Sequence, residues 1–231
     1  MMKHLRGVVS LALLIGVTAL GAMPPKDTAI AVVSKVILDV MRKPAERDWQ
    51  PAKRGEVLAS GERLRTGEKS IAVIKFKDNS MLRVREKSEV LIVGTQEGTT
   101  FSKSTMIERG VIGFNVKKQK QGEEFRLTSP TSVAAIRGTS GQFAVSDSSD
   151  KLIVLEGLVR LLNKSSAQSI DVAAGYTGVS TPDGKVELRV STPEERRSAE
   201  VSVQAAEQEN RLDIELNDGK GNQKKMEIRY K

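Results

Sequence analysis

Short runs of alternating apolar and polar residues follow one another through the middle of the chain, with turn residues between them. Residues 81–85 are a clear example, because Leu82 and Val84 alternate with Arg83 and Arg85. Side chains on a strand point to opposite faces in turn, so this run predicts a strand with the two aliphatic residues in the core and the two arginines in water. Residues 71–76 are apolar on both faces and predict a central strand.

The turns between these runs support the same structure. Asp78 and Asn79 predict a tight hairpin turn, since asparagine tolerates a positive φ. Many short strands with little helix between them are typical of a β-sandwich, a β-roll or an irregular solenoid-like β structure. No strict internal repeat is visible, so the spacing alone does not select the solenoid. We therefore expect a mainly β fold.

The pattern changes near the carboxyl end, where residues 185–231 predict a small α+β appendage. After a strand at residues 186–190, Thr192 and Pro193 predict a helix start that runs to about Gln208. The better apolar face of this helix is predicted to hold Ala199, Val201 and Ala205. Residues 211–216 and 226–230 alternate as strands and predict a hairpin.

The first 22 residues have the pattern of a secretory signal peptide. Lys3 and Arg6 precede an apolar run over residues 7–20, and Ala19 and Gly21 supply the small residues of a cleavage site before Ala22. Cleavage one residue later, and an uncleaved membrane anchor, are the alternatives. A spanning helix needs about 20 apolar residues, which is more than this run offers. The interpretation is an exported protein, periplasmic or secreted.

Composition narrows the chemistry. The chain has no cysteine and one histidine, His4, which lies within the predicted signal peptide. Zinc sites of thiolates and imidazoles and cysteine nucleophiles are thereby excluded, and we expect no catalytic, cofactor-binding or metal-binding residues. The formal charge is +8, and removal of Lys3 and Arg6 leaves +6. This charge favours anionic partners in the envelope or simply keeps the protein soluble.

Several short sequence motifs occur in an order that resembles the FecR domain family. The first motif contains Gly61 and Gly67. It is followed by the apolar strand at residues 71–76 and the turn Asp78-Asn79-Ser80. The next motifs are Pro130 and a strand that leads into Arg137-Gly138-Thr139. The order closes with Glu156-Gly157 and then Gly175. The resemblance spans roughly residues 55–179. Asn79 stands where the family usually has glycine, a departure that positive φ explains.

The resemblance implies an extracytoplasmic β domain that senses, docks or scaffolds. Family members that signal iron uptake relay receptor occupancy to a cytoplasmic anti-sigma segment. Only six residues precede the apolar run here, so we do not carry sigma-factor regulation over to this chain. The expected organisation is a signal peptide at 1–22, a strand and loop at 23–54, a FecR-like domain at 55–180 and the appendage at 185–231.

The motif residues have a structural interpretation as well as a functional one. Gly138 permits a turn or a close backbone approach, and we favour that interpretation over a binding role. Glu156 and Gly157 are expected to form a hairpin turn rather than a carboxylate site. We therefore treat the motif as structural; its members are Gly61, Gly67, Pro130, Arg137, Gly138, Thr139, Glu156, Gly157 and Gly175.

Two basic segments are candidate partner contacts. One surrounds the single tryptophan, Trp49, because tryptophan and arginine are enriched at binding hot spots. The other is a basic loop that could contact an anion or form a solvated tip. Trp49 could instead cover the end of the core. The candidate residues are Arg47, Trp49, Lys53, Arg54, Lys117, Lys118 and Lys120.

The leading hypothesis is a non-enzymatic envelope module that binds a protein partner. Binding to an anionic wall or surface polymer is the alternative, and a hydrolase that uses serine or carboxylates is a weaker one. The pairs Glu123-Glu124 and Glu194-Glu195 do not face each other as a glycosidase requires. We expect no nucleic-acid partner and membrane contact only through an uncleaved signal segment. An exposed sheet edge leaves a homo-oligomer open.

Overall fold

Nineteen strands and one helix form the secondary structure that the computed structural model describes, over residues 29–97, 100–207, 211–217 and 223–229. The predicted signal peptide lies outside these ranges. The strands are β1 (Ala29–Ile37), β2 (Val40–Lys43), β3 (Gln50–Pro51), β4 (Val57–Ala59), β5 (Glu62–Thr66), β6 (Ile71–Phe76), β7 (Met81–Val84), β8 (Glu89–Glu97), β9 (Thr100–Asn115), β10 (Phe125–Thr128), β11 (Ser132–Ile136), β12 (Ser140–Val145), β13 (Asp150–Glu156), β14 (Leu158–Asn163), β15 (Ser169–Ala173), β16 (Tyr176–Ser180), β17 (Val186–Val190), β18 (Arg211–Asn217) and β19 (Gln223–Arg229). The helix α1 is Pro193–Glu207.

Strands β1 to β17 form two facing sheets that share the long strand β9. Sheet A has the order β4-β1-β6-β7-β9-β12-β13-β16-β17. Sheet B has the order β3-β2-β5-β8-β9-β10-β11-β14-β15. These pairings are antiparallel except for β9 with β10, which is parallel. The predicted mainly β fold is confirmed.

Strand β9 passes from one sheet to the other at Gly110. Its first part pairs with β8 and β10, and its last part, from Gly110 to Asn115, pairs with β12. Gly110 has a φ of 104°, which a residue with a Cβ adopts only with strain. The Ser88 hydroxyl accepts a hydrogen bond from the Val111 amide at 3.0 Å and secures the corner.

The core lies between the two sheets and is largely aliphatic. Phe76 of sheet A meets Phe125 of sheet B edge to face, with 5.0 Å between the ring centroids and 82° between the planes. Inward-facing residues such as Leu64, Leu82 and Leu161 are fully buried. The predicted turn at residues 78–79 is confirmed, since Asn79 has a φ of 63°.

Helix α1 begins with a reciprocal cap. The Thr192 hydroxyl accepts a hydrogen bond from the Glu195 amide at 3.2 Å, and the Glu195 carboxylate accepts one from the Thr192 amide at 3.0 Å. This arrangement is a capping box and satisfies amides that a helix start leaves without partners. The predicted cap at Thr192 is therefore confirmed. Arg189 adds a two-pronged ion pair to Glu195, at 2.8 and 2.6 Å.

The helix packs on the outer face of sheet A, and this contact corrects two expectations. Arg83 was predicted to face water but is 7% exposed, because α1 covers it and its guanidinium donates to the Val201 carbonyl. Burial and the neighbouring Arg85 lower the pKa of Arg83 to about 10, so it remains charged at neutral pH. Val201 was predicted on the apolar face but is 48% exposed, whereas Ala199, Ser202 and Val203 are buried; the side chain of Ala205 lies outside the described residues.

Acid is expected to weaken the helix cap. Hydrogen bonds from Arg189 hold the pKa of Glu195 at about 2, below its usual 4.5. A depressed folded-state pKa contributes stability that is present above pH 4.5 and is lost as the pH falls through about 2. Glu195→Gln should lower the free energy of unfolding at pH 7 by about 1–3 kcal/mol and flatten its decline between pH 4.5 and 2.

Urea unfolding at both ends of that pH range measures this effect. Glu194→Gln is the matched control, since the exposed Glu194 precedes the cap residue on the same helical turn. Equal pH dependence in Glu195→Gln and the unchanged protein would contradict the assignment.

The final two strands form a separate two-stranded sheet. β18 pairs with β19 in an antiparallel register that joins Arg211 to Arg229 and Asn217 to Gln223. The predicted helix and hairpin are both present, and β17, which precedes the helix, pairs with β16 as the last strand of sheet A. The predicted domain boundaries remain predictions.

Candidate functional site

The basic segment after β9 is an ordered and exposed loop. Lys117, Lys118 and Lys120 are exposed, while Gln119 between them is buried. The Gln119 amide donates to the Lys117 carbonyl at 2.7 Å and to the Asp78 carboxylate at 2.9 Å. One inward residue thus fastens the loop and leaves three cations facing solvent.

A buried ion pair supports the loop from below. Lys103 of β9 donates to the Asp78 carboxylate at 2.6 Å, and its side chain is almost completely buried. Burial opposes ionisation of Asp78, but hydrogen bonds from Lys103, Gln119 and Ser80 outweigh it and lower the pKa of Asp78. The carboxylate is therefore charged at neutral pH. Because removal of one member of a buried pair strands the other, the hairpin turn, the strand and the loop are tied together.

The Arg137-Gly138-Thr139 turn lies against the same loop. A Cβ on Gly138 would stand 3.1 Å from the Lys118 Cα, and the φ of Gly138 is 78°. The Thr139 carbonyl accepts a hydrogen bond from the Val116 amide at 2.9 Å. Both observations support the structural interpretation of the glycine. Since Arg137 is exposed, the turn brings a fourth cation to this loop, which the sequence alone did not place there.

The remaining motif residues lie at strand ends or between strands, and one predicted turn is wrong. Pro130 is between β10 and β11, and Gly175 is between β15 and β16. Glu156 and Gly157 were predicted to form a hairpin turn, but Glu156 is the last residue of β13 in sheet A and Gly157 leads into β14 in sheet B, so they form a crossing between the two sheets. The Ser140 hydroxyl donates to Glu156 at 3.3 Å, so this carboxylate bonds to the start of β12. Gly61 precedes β5, and Gly67 follows it and donates its amide to the Asp39 carbonyl at 2.9 Å.

The tryptophan segment lies elsewhere, around the short strand β3. Trp49 is half-buried, and the Arg65 guanidinium stacks over its ring at 4.3 Å from the centroid. This cation–π contact uses one face of the ring within the protein. Arg47, Lys53 and Arg54 are exposed. Arg65 comes from β5, so only the fold reveals it as the partner of the tryptophan.

A cavity of about 510 Å3 lies among hairpin turns and is lined by Thr131, Ser146 and Lys164 together with other residues. Next to it, the buried Ser129 hydroxyl donates to Asp150 and accepts from the Thr131 and Ser132 amides. Burial raises the pKa of the Asp150 carboxyl. Lys164 donates to the Ser129 carbonyl, not to its hydroxyl. Ser129 is fully buried, and its hydroxyl closes the turn between β10 and β11.

The described part of the chain adds two negative findings. Its one helix lacks the length and apolar character required to cross a membrane. No group of three or more potential metal ligands is assembled among these residues either.

Comparison with known proteins identifies the central β region. Residues 62–160 match the family model described as FecR protein. These residues are similar to the FecR family. The match begins at β5 and ends within β14, so it contains the basic loop, the Arg137 turn and the Asp78–Lys103 pair. The FecR resemblance seen in the sequence motifs is thereby confirmed.

Solved structures show a similar fold. Two crystal structures of a "putative anti-sigma factor" from Parabacteroides distasonis, at 1.65 and 2.50 Å resolution, each align with a TM-score of 0.50 and 12% sequence identity. The alignments cover 59% of this chain, and 63% and 62% of the two solved chains. At this identity the likeness concerns the fold. Among curated proteins, no sequence matches this chain.

Proposed function

We propose that the protein is an extracytoplasmic module of the cell envelope that senses or scaffolds by binding a protein partner. The match to the FecR family supports a regulatory protein-interaction role, and the fold is similar to that of the solved "putative anti-sigma factor". The predicted signal peptide supports the location. We expect no enzymatic activity.

The observation that carries the proposal is the preorganised basic loop. Lys117, Lys118 and Lys120 face solvent beside Arg137, while the loop beneath them is fastened by Asp78. A solvated tip needs no such anchor. An anchored set of cations loses little conformational entropy on binding, and charge complementarity with an acidic surface speeds association and selects the partner. The acidic face of an envelope protein is therefore the proposed ligand.

The binding test uses charge-reversal and charge-matched variants. Lys117, Lys118 and Lys120 are changed together to Glu, and Lys151, Lys185 and Arg197, which are exposed elsewhere, form the control set. Cross-linking in intact cells should yield one defined protein adduct that the loop variant loses and the control set retains. An adduct of equal yield in all three proteins would contradict the proposal.

The alternative ligand is an anionic envelope polymer, and the mature net charge of +6 expected after loss of Lys3 and Arg6 is the observation that favours it. Co-sedimentation with isolated envelope distinguishes the two. Binding to a protein is abolished when the envelope is first digested with protease, whereas binding to a polymer survives. Binding to either ligand should weaken between 0.1 and 1 M salt, as the screening length falls from about 10 to about 3 Å.

A further inference from the structure

Strand β17 leaves one edge of sheet A without a partner in the described part of the chain. β17 pairs with β16, and the Ser191 amide donates to the Gly175 carbonyl while the Thr181 amide donates to the Lys185 carbonyl. Backbone groups alternate in direction along an antiparallel strand. The backbone N–H and C=O groups of Glu187 and Arg189 therefore also face β16. Those of Val186, Leu188 and Val190 point outward, away from β16.

This edge is apolar and accessible. Leu188 is 46% exposed and Val190 is 64% exposed. The Val190 carbonyl accepts a hydrogen bond at 3.4 Å from the guanidinium of the adjacent residue, Arg189. Proteins usually protect a long exposed edge because its open amides and carbonyls can pair with another strand. A five-residue edge with two exposed aliphatic side chains is suited to such pairing.

Helix α1 does not cover the edge with its described residues. From Pro193 it runs inward across sheet A. Glu195 receives a hydrogen bond from Thr177 of β16, and Ser198 and Ser202 donate to Gln142 of β12 at 3.0 and 2.8 Å. The helix thus moves away from β17 with each turn.

The sequence of β17 is complementary to itself. When two copies of this strand are paired antiparallel about residue 188, Leu188 lies opposite Leu188 of the copy. Each valine then lies opposite a valine, and Glu187 lies opposite Arg189. The outward backbone groups of Val186, Leu188 and Val190 then face those of the copy, so the three pairs would exchange about six hydrogen bonds.

Charge selects this register over its neighbours. A shift of the two-fold axis to residue 187 would set Glu187 against Glu187, and a shift to residue 189 would set Arg189 against Arg189. Opposite like charges on adjacent strands are destabilising, and opposite charges are favourable. Arg189 uses two of its N–H groups on Glu195. A guanidinium has five, so donors remain for Glu187 of the partner subunit.

We propose that β17 pairs with β17 of a second copy of this chain, antiparallel about a two-fold axis through Leu188. Sheet A then continues from one protomer into the next, and the interface is isologous. Because one short strand contributes the contact, the dimer forms and dissociates with concentration. The proposal does not depend on the partner of the basic loop, and either can fail alone.

Cysteine cross-linking tests the register. The chain has no native cysteine, so Leu188→Cys introduces one thiol per protomer. In a hydrogen-bonded antiparallel pair the two Cα atoms are about 5.5 Å apart, within the range of about 4.4–6.8 Å that a disulfide spans. Leu188→Cys should form a disulfide-linked dimer under mild oxidation. Val57→Cys is the matched control, since Val57 is 54% exposed on β4 at the opposite edge of sheet A. Equal yields, or no dimer at residue 188, would overturn the proposal.

Sedimentation of the unlinked protein is the second test. The unchanged protein should show a concentration-dependent dimer. Glu187→Lys places a lysine opposite Arg189 and should weaken the dimer by at least about tenfold, a change of about 1.4 kcal/mol. Glu200→Lys, at an exposed position on α1, is the charge-matched control and should dimerise normally. A monomer at every concentration, or equal association of Glu187→Lys and the control, would refute β17 pairing.

Discussion

Gly110→Ala is expected to destabilise the protein by about 3–5 kcal/mol, near the upper end for a single substitution. Two effects combine at this residue. Its φ of 104° is strained for any residue with a Cβ, and the added Cβ would stand 2.6 Å from the Ser88 Cα. Backbone cannot move aside as a side-chain tip can. Since Gly110 is where β9 leaves sheet B and enters sheet A, relief of this overlap requires the corner to shift. Urea unfolding measures the loss.

The matched control separates strain from overlap. Gly175 also has a positive φ, 83°, but an added Cβ there meets nothing within 4 Å. Gly175→Ala should therefore cost only the conformational strain, about 1–2 kcal/mol. If the two alanine variants have the same stability, the close approach of Ser88 contributes nothing and the explanation for the corner is wrong.

Gly113→Ala is expected to displace helix α1 from sheet A. An added Cβ at this outward position of β9 would stand 2.6 Å from the Ser202 carbonyl carbon. The helix would lose the burial of Ala199 and Val203 and the hydrogen bonds to Gln142. We expect a loss of about 2–4 kcal/mol and rapid tryptic cleavage after Arg196 or Arg197, because the docked helix does not fit a protease cleft.

Glu200→Ala is the control for this prediction. Glu200 is exposed on α1, and its truncation leaves the docked surface intact. Its cleavage rate should match that of the unchanged protein. Equal protease resistance in Gly113→Ala and Glu200→Ala would mean that α1 tolerates a side chain beneath it, and that the glycine does not determine the docking.

The two proposed contacts involve different parts of the fold. The basic loop joins β9 to β10 within the region that matches the family model, whereas β17 follows that region. Dimerisation through β17 would double the number of basic loops in one particle. An acidic partner with two suitable sites would then bind more tightly without any new type of contact.

Only part of the candidate site could be predicted from the sequence. The cations of the loop are adjacent in the chain, so Lys117, Lys118 and Lys120 were identified directly. Their anchor was not, because Asp78 and Lys103 lie far from the loop in sequence and neither has a local pattern that marks it. Arg137 was assigned to a structural motif. Its position beside the loop depends on how the fold places the end of β11 against the end of β9. Arg65 behind Trp49 was missed for the same reason.

Local patterns determined the mainly β class, the turn at Asn79 and the cap at Thr192, because alternation, positive φ and helix capping each depend on residues close in the chain. Tertiary structure determined what packs against the outward faces of the strands. The alternation of Arg83 with Leu82 correctly separated two faces, but it could not tell water from a covering helix. Alternation records which residues share a face, whereas burial depends on what packs against that face. That is why Arg83 is buried, Val201 is exposed and the β17 edge has no partner among the described residues.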